Sequence, residues 1–325
     1  MCIRDRDVTT QIEVLAAIKR ITRKYNTAAI YITHDLAVVA QLADRIMVLR
    51  YGDLVEENNA REMLADPKEE YTRKLLSVRT LREDKDLSAS EKDVILEAKN
   101  VSASYTGKDM VLEDIDLKVR RGRTVALVGE SGSGKSTLAR ALVGLVPIRG
   151  GKVRLSAPDD AGDGPADPRR LVQLVFQDPS SALSPRRTVA QTLEEAARHF
   201  DLPSDRSDLT AALAAVGLEA SALDRLPRQF SSGQRQRIAL ARALICQPRV
   251  LVADEPLASL DVSVQARILA LLRTLREERQ LAILLISHDL AVLRENANQL
   301  SVMYRGRCVE SGPAESVFGH PAHPY

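Results

Sequence analysis

The sequence predicts an α/β fold built on a mostly parallel sheet, and three observations point to it. Short apolar runs, Thr124 to Val128, Leu171 to Phe176, Val250 to Ala253 and Leu281 to Ser287, recur among stretches of helical spacing, as strands buried on both faces do. Three of the runs stop at polar residues: Gln177, the pair Asp254-Glu255, and His288. A glycine-rich loop joins the first run to the helical pattern Thr137 to Leu145, giving the order strand, loop, helix. In such sheets ligands sit beyond the carboxyl ends of the strands.

Gly129-Glu130-Ser131-Gly132-Ser133-Gly134-Lys135-Ser136 matches G-x-x-x-x-G-K-[ST] in the context the motif requires. Gly129, Gly132 and Gly134 let the backbone wrap closely round phosphates, and Lys135 reaches the outer ones. The Ser136 hydroxyl can ligate magnesium. Ser131 and Thr137 complete the set expected to touch the nucleotide. A plain glycine-rich turn is the competing reading, and the matched positions in the right order outweigh it.

Asp254 and Glu255 end an apolar strand, so both carboxylates are expected at the sheet edge beside the phosphate loop. Asp254 would hold the magnesium shell, and Glu255 would polarise the attacking water as a general base. Alone, the pair reads equally as an acidic turn before Pro256. Gln177 and His288 are placed at strand ends too, where either could be a local hydrogen-bonding residue. Tyr105, on a short strand before the loop Thr106 to Asp109, is placed to stack on a purine or to be half buried in its sheet. Between loop and acidic pair lies Phe230-Ser231-Ser232-Gly233-Gln234-Arg235-Gln236-Arg237. Its serine-glycine turn opens a helix from Ser232 to about Cys246 and offers backbone N–H groups to an anion, or Ser232 serves only as an N-cap.

Taken in order, Tyr105, the Gly129 to Ser136 loop, Gln177, the Phe230 to Gln234 signature, Asp254-Glu255, the Ser259-Leu260-Asp261 turn and His288 resemble the nucleotide-binding domain of ABC transporters over about residues 93 to 325. The resemblance implies a P-loop NTPase (RecA-like) core with an antiparallel β subdomain and a helical signature subdomain, preceded by a partial copy of the same core. It also implies ATP and Mg2+ as cofactors. ATP would be hydrolysed in a head-to-tail dimer, the loop of one domain facing Ser231, Gly233 and Gln234 of the second. Glu255 would activate water, His288 would hold it, and Gln177 would sense the metal and the γ-phosphate. Ser232 departs from the family's usual glycine, and tight packing there could slow turnover.

Phe176-Gln177-Asp178-Pro179-Ser180-Ser181-Ala182-Leu183-Ser184-Pro185-Arg186 and the ending His320-Pro321-Ala322-His323-Pro324-Tyr325 look like the ATP-binding subunits of dipeptide, oligopeptide and nickel importers. The implied partners are transmembrane permease subunits and a solute-binding protein, at the cytoplasmic face of a bacterial inner membrane. The loop Asp178 to Arg187 would meet the permease. Cys2, Cys246 and Cys308 have no ligand spacing, so no metal cluster is expected.

Composition narrows the class. The 325 residues suggest about two domains, and 45% hydrophobic content is ample for a core. A net charge of +2 argues against nucleic-acid binding, which usually requires a strongly basic face. A soluble ABC ATPase acting on ribosomes or DNA remains the alternative. No apolar run approaches the roughly 18–20 residues of a membrane span.

Shifted by 254 positions, Asp7 to Tyr71 aligns with Asp261 to Tyr325 without a gap and with 20 identities in 65 positions. This is a domain duplication. Residues 7–79 are expected to be the carboxyl-terminal part of a first nucleotide-binding domain, 80–92 a charged linker, and 93–325 a second, nearly complete domain. Met1-Cys2-Ile3-Arg4-Asp5-Arg6 can be encoded by ATGTGTATAAGAGACAG, which looks like a sequencing-library adapter, so residues 1–6 are expected to be non-native and the chain truncated. Residues 7–79 read as helix, strand, helix, a strand pair and terminal helices, with a parallel strand over Ala28 to Thr33.

Overall fold

The computed structural model describes residues 17–22, 24–25, 27–32, 43–50, 52–77, 93–107, 109–156, 167–179, 182–257, 260 and 262–324, which fall into two units. Expectations on residues 1–16 and 33–42, the linker 80–92, Ser180-Ser181, and Ser259 and Asp261 lie outside the described residues.

The smaller unit holds a helical stretch at 17–22, the antiparallel pair β1 (Arg45–Arg50) and β2 (Asp53–Asn59), and helices α1 (Ala60–Ala65) and α2 (Glu70–Ser77). Ile46, Ala60 and Met63 form its core. Over the described part of the expected strand, Ala28 to Ile32, no strand forms. Residues 27–32 have no regular secondary structure, and Ile30 and Ile32 are exposed. A buried parallel strand needs neighbours, and the unit's described sheet consists of β1 and β2 alone.

In the larger unit, β3 (Val94–Ala103), β4 (Leu112–Arg120) and β6 (Ile148–Leu155) form an antiparallel sheet in the order β4-β3-β6. Its alternation puts Ile95, Val101, Ile115 and Val119 into a core shared with Val125, Leu127, Val252 and Leu284 of a second sheet. That sheet has the order β11-β10-β5-β9-β8-β7. Its strands are β5 (Thr124–Gly129), β7 (Val172–Val175), β8 (Val250–Asp254), β9 (Ala282–Ile286), β10 (Gln299–Tyr304) and β11 (Arg307–Pro313). All neighbours pair in parallel except β10 with β11. Every residue of β8 and β9 is buried, which is why both read as unbroken apolar runs.

The helices follow in chain order: α3 (Lys135–Leu142) after β5, the single turn α4 (Pro168–Leu171) before β7, then α5 (Val189–Arg198), α6 (Arg206–Ala215) and α7 (Ser232–Leu244). After β8 come α8 (Val262–Arg279), α9 (Leu290–Asn296) and α10 (Ala314–Gly319). Thr188 and Asp205 cap α5 and α6, each within a capping box, so both helices start where the sequence supplies an oxygen for the orphan N–H groups.

The two hairpins match in detail at the 254-residue shift. β1-β2 and β10-β11 carry their register shifts at Val48/Leu49 and Val302/Met303. Gly52 and Gly306 both have positive φ. Glu56 accepts the N–H groups of Lys68 and Glu69 at 2.9 and 3.1 Å, and Glu310 accepts those of Ala322 and His323 at 2.9 and 3.1 Å. Ala60 N–H donates to Asp44 O, as Ala314 N–H does to Asn298 O.

Gly129 ends β5 at φ 151°, and a Cβ there would lie 2.2 Å from the Met303 carbonyl oxygen of β10. Gly129→Ala is expected to cost at least about 2 kcal/mol, lowering the melting temperature by roughly 4–8 °C. Thermal denaturation checks this, and an unchanged melting temperature would mean that β10 can withdraw from the loop.

Candidate functional site

Parallel register brings four strand ends to one edge. Leu127 pairs with Ile286, Ile286 with Asp254, and Ala253 with Val175. The loop after β5, the Asp254 carboxylate, the Ser287-His288 turn after β9 and the Phe176-Gln177 turn after β7 therefore leave the sheet side by side.

The loop is wound tightly. Gly132 and Gly134 have φ of 80° and 105°, a conformation that costs glycine little. Ser133 N–H donates to Glu130 O at 3.1 Å, and Gly306 N–H reaches Ser133 O at 2.9 Å. Lys135 opens α3 and is buried. Its ammonium donates to Gly129 O at 2.8 Å and Glu130 O at 2.7 Å, with Ser133 Oγ at 3.4 Å, so its charge is held inside the loop. Gly134 N-caps α3 without a side chain, which leaves the helix's first N–H groups directed at the loop. Ser131 lies at the loop tip and is exposed, whereas Thr137 is buried on the first turn of α3.

Ser136 Oγ donates to Asp254 Oδ1 at 3.2 Å. Asp254 is buried, and that burial pushes its carboxyl up; the Ser136 hydrogen bond opposes the shift and neighbouring Glu255 adds to it. Glu255, one residue beyond β8, has φ 47°, a left-handed conformation uncommon for a side-chain-bearing residue. Its N–H donates to Ile286 O at 3.0 Å, which pins the turn to β9. Strain of this kind concentrates at functional sites.

Gln177 Nε2 donates to Glu255 Oε2 at 2.8 Å, and His288 Nδ1 lies 3.6 Å from the same oxygen. His288 is the main cause holding the Glu255 carboxyl below its ordinary value, against burial. In return Glu255 raises His288, again against burial. Lowered Glu255 stabilises the fold above its ordinary pKa and loses that contribution as pH falls through its depressed value. Raised His288 contributes below its ordinary pKa and loses that contribution as pH rises through its elevated value. The pair therefore contributes most between the two ordinary values, 4.5 and 6.5. Replacing His288 with Gln is expected to lower the melting temperature more at about pH 5.5 than at about pH 8.5. Equal losses at both values would remove the pairing.

Tyr105 lies two residues beyond β3, in a turn rather than on the expected strand. The side chains it meets set this position: its hydroxyl is 3.4 Å from Thr137 Oγ1 and accepts from Arg140 Nη1 at 3.2 Å. Burial pushes the phenol up, but Thr137 and Arg140 outweigh it and leave the pKa lowered. Arg140, one turn after Ser136 and Thr137 on α3, is a site neighbour the motif did not reveal. Its place on the same helix was the available signal.

Ser231 rather than Ser232 caps α7. Its Oγ accepts Gln234 N–H at 3.3 Å, while Gln234 Oε1 accepts Ser231 N–H at 3.0 Å. Ser231 and Ser232 are exposed and Gly233 is buried. Ser231 and Gln234 thus bond to each other, whereas the loop, Asp254, Glu255, Gln177 and His288 form a separate cluster.

A phosphate loop, a buried acid at the end of a nearby parallel strand and a second acid beside it define a P-loop NTPase fold. Residues 112–258 match the family model described as ABC transporter. The chain is 38% identical to the Peptidoglycan transport ATP-binding protein YejF of Agrobacterium fabrum (strain C58), over 98% of this chain and 61% of that protein. It is 36% identical to the Glutathione import ATP-binding protein GsiA of Escherichia coli (strain K12), over 98% and 58%. The chain thus spans about three-fifths of the length of these curated relatives. Among solved structures, cbiO1 from Clostridium perfringens, part of the ABC transporter complex cbiONQ, aligns with a TM-score of 0.60 at 29% identity, covering 70% of this chain and 92% of that one. The ATP-binding cassette MJ0796, as a post-hydrolysis dimer bound to ADP and Pi, aligns with a TM-score of 0.59 at 26% identity, covering 68% and 99%. Among the described residues, no helix is long and apolar enough to cross a membrane.

Proposed function

We propose that this chain is an ATP-binding and ATP-hydrolysing subunit that powers an ABC importer for peptides or related small solutes. The observation that carries the reading is the single cluster joining Ser136 to Asp254 and Glu255 to Gln177 and His288 beside the Lys135 loop. The names of the relatives, peptidoglycan transport and glutathione import, support the solute class.

Each residue's role follows from its chemistry. Lys135 and the loop N–H groups bind the phosphates. Glu255, whose lowered pKa keeps it ionised, accepts a proton from the attacking water as general base. Gln177 and His288 hold the Glu255 carboxylate and complete the water's surroundings. The Ser136 hydroxyl and the Asp254 carboxylate, 3.2 Å apart, are hard oxygen donors that fit Mg2+, with Gln177 as the third. Bound there, Mg2+ would neutralise charge on the phosphates. Tyr105, tethered at Thr137 and Arg140 beside the loop, is placed for the nucleotide base. Ser231, Gly233 and Gln234, in a cluster of their own, serve the site of a facing domain in a head-to-tail dimer.

Residues 7–79 are proposed to be part of a first nucleotide-binding domain and 93–325 a second, a division supported by the matched hairpins and their paired Glu56 and Glu310 bonds. The partners are permease subunits and a solute-binding protein, at the cytoplasmic face of the inner membrane. Hydrolysis stimulated by reconstituted permease subunits and unchanged by DNA or RNA is the expected result. Stimulation by nucleic acid alone would instead favour a soluble ABC ATPase.

A further inference from the structure

The turn that leads into Ser231 is bonded closely to itself. Pro227–Gln229 is one turn of 3-10 helix, with Gln229 N–H donating to Leu226 O at 2.9 Å and Phe230 N–H to Pro227 O at 3.2 Å. Gln229 Oε1 accepts Leu226 N–H at 2.7 Å. The bonds between Ser231 and Gln234 fix the shape of the next turn, and α7 holds it from one side. Arg225 braces it from the other. Its guanidinium carbon lies 4.3 Å from the centre of the Phe230 ring, and its Nη2 donates to Gln229 O. Arg225 is exposed and Phe230 is buried, so the cation closes over the solvent side of the ring. A planar guanidinium can stack on a ring and donate in its own plane at once, which an ammonium on a flexible stem cannot.

The backbone of Arg225 is itself anchored at two helix starts. Its carbonyl oxygen accepts the N–H of Val189, the first residue of α5, at 3.0 Å. The carboxylate of the preceding residue, Asp224, accepts Nη1 and Nη2 of Arg206, the first residue of α6, at 3.2 and 2.6 Å. Arg225 is thus a strut from the first turns of α5 and α6 to the two residues before Ser231. We infer that Arg225 is a positioning residue for ATP hydrolysis, holding Gln229 and Phe230 so that Ser231, Gly233 and Gln234 meet the nucleotide of the facing domain. This role rests on the head-to-tail dimer proposed above. It adds a residue that touches no nucleotide and acts across the dimer: loss of the strut in one chain damages the site whose phosphate loop belongs to the second.

The test mixes two variants of the full chain. Arg225→Ala keeps an intact phosphate loop and loosens its own signature turn, whereas Lys135→Ala keeps an intact signature turn and damages its loop. Alone, Arg225→Ala is expected to lower kcat by about 10–100-fold, with ATP binding at low protein concentration within about twofold of the parent chain. Arg225→Lys keeps a cation over the ring and should restore part of kcat. Mixed in equal amounts, the two slow variants should recover about a quarter of the parent rate, because half the dimers are mixed and each of those has one site with both parts intact. Gly233→Asp mixed with Lys135→Ala is the control for the head-to-tail dimer. Recovery with Gly233→Asp but not with Arg225→Ala would overturn the role of Arg225 and leave the dimer standing. No recovery in either mixture would refute the dimer, and the role with it. Parent-like hydrolysis by Arg225→Ala alone would also overturn the role. Should Arg225→Ala fail to fold, Phe230→Leu, which keeps an apolar side chain and removes the ring, enters the same mixture; recovery supports the strut and its absence overturns it.

Discussion

Glu255→Gln is expected to cut ATP hydrolysis by about 10²–10⁴-fold, the usual contribution of a positioned general base, while ATP stays bound. The carboxylate stands beyond β8 in a left-handed turn, tied through its N–H to Ile286 and through Oε2 to Gln177. An amide at this position keeps the size and one hydrogen-bonding oxygen but cannot accept the proton. The loop, Lys135 and Ser136 are untouched, so ATP persists unhydrolysed and should stabilise a dimer visible by size-exclusion chromatography. The effect should fall on kcat with little change in ATP affinity. A hydrolysis rate equal to that of the parent chain would remove Glu255 from the role of base.

The second large effect is expected at Lys135. Its buried ammonium donates to Gly129 O and Glu130 O and sits within the electrostatic reach of Asp254, Glu255 and His288. Lys135→Ala removes the one charge that the loop holds at its centre. A hydrogen bond to a charged group contributes about 1.5–3 kcal/mol, so ATP affinity should weaken by roughly 10–150-fold. Calorimetric titration measures this. The substitution also removes two bonds that brace the loop, so a companion melting curve separates loss of binding from loss of fold. Affinity within twofold of the parent chain would mean that the phosphates lie elsewhere.

The sequence made the core strands legible where burial on both faces leaves an unbroken apolar run, as in Val250–Asp254 and Ala282–Ile286. The phosphate loop was legible because its glycines answer a local backbone demand. Other features depend on distant partners. The Gln177–Glu255 bond spans 78 positions, and the Tyr105 tether to Arg140 spans 35. No local pattern encodes either. The left-handed Glu255 follows from its bond to Ile286, not from its own propensity. Ser232 was the expected cap, but Ser231 caps the helix through its reciprocal bonds with Gln234. Ala28 to Ile32 has the composition of a strand, and among the described residues no strand pairs with it.

The central claim is that the Lys135 loop and the acids at 254 and 255 serve one bound nucleotide. A crystal structure of the Glu255→Gln chain with ATP and Mn2+ tests it most directly, because the manganese can be located by its anomalous scattering. The expected result is a triphosphate wrapped by the loop, with the metal beside Ser136, Gln177 and Asp254. A nucleotide or metal found away from those side chains would contradict it.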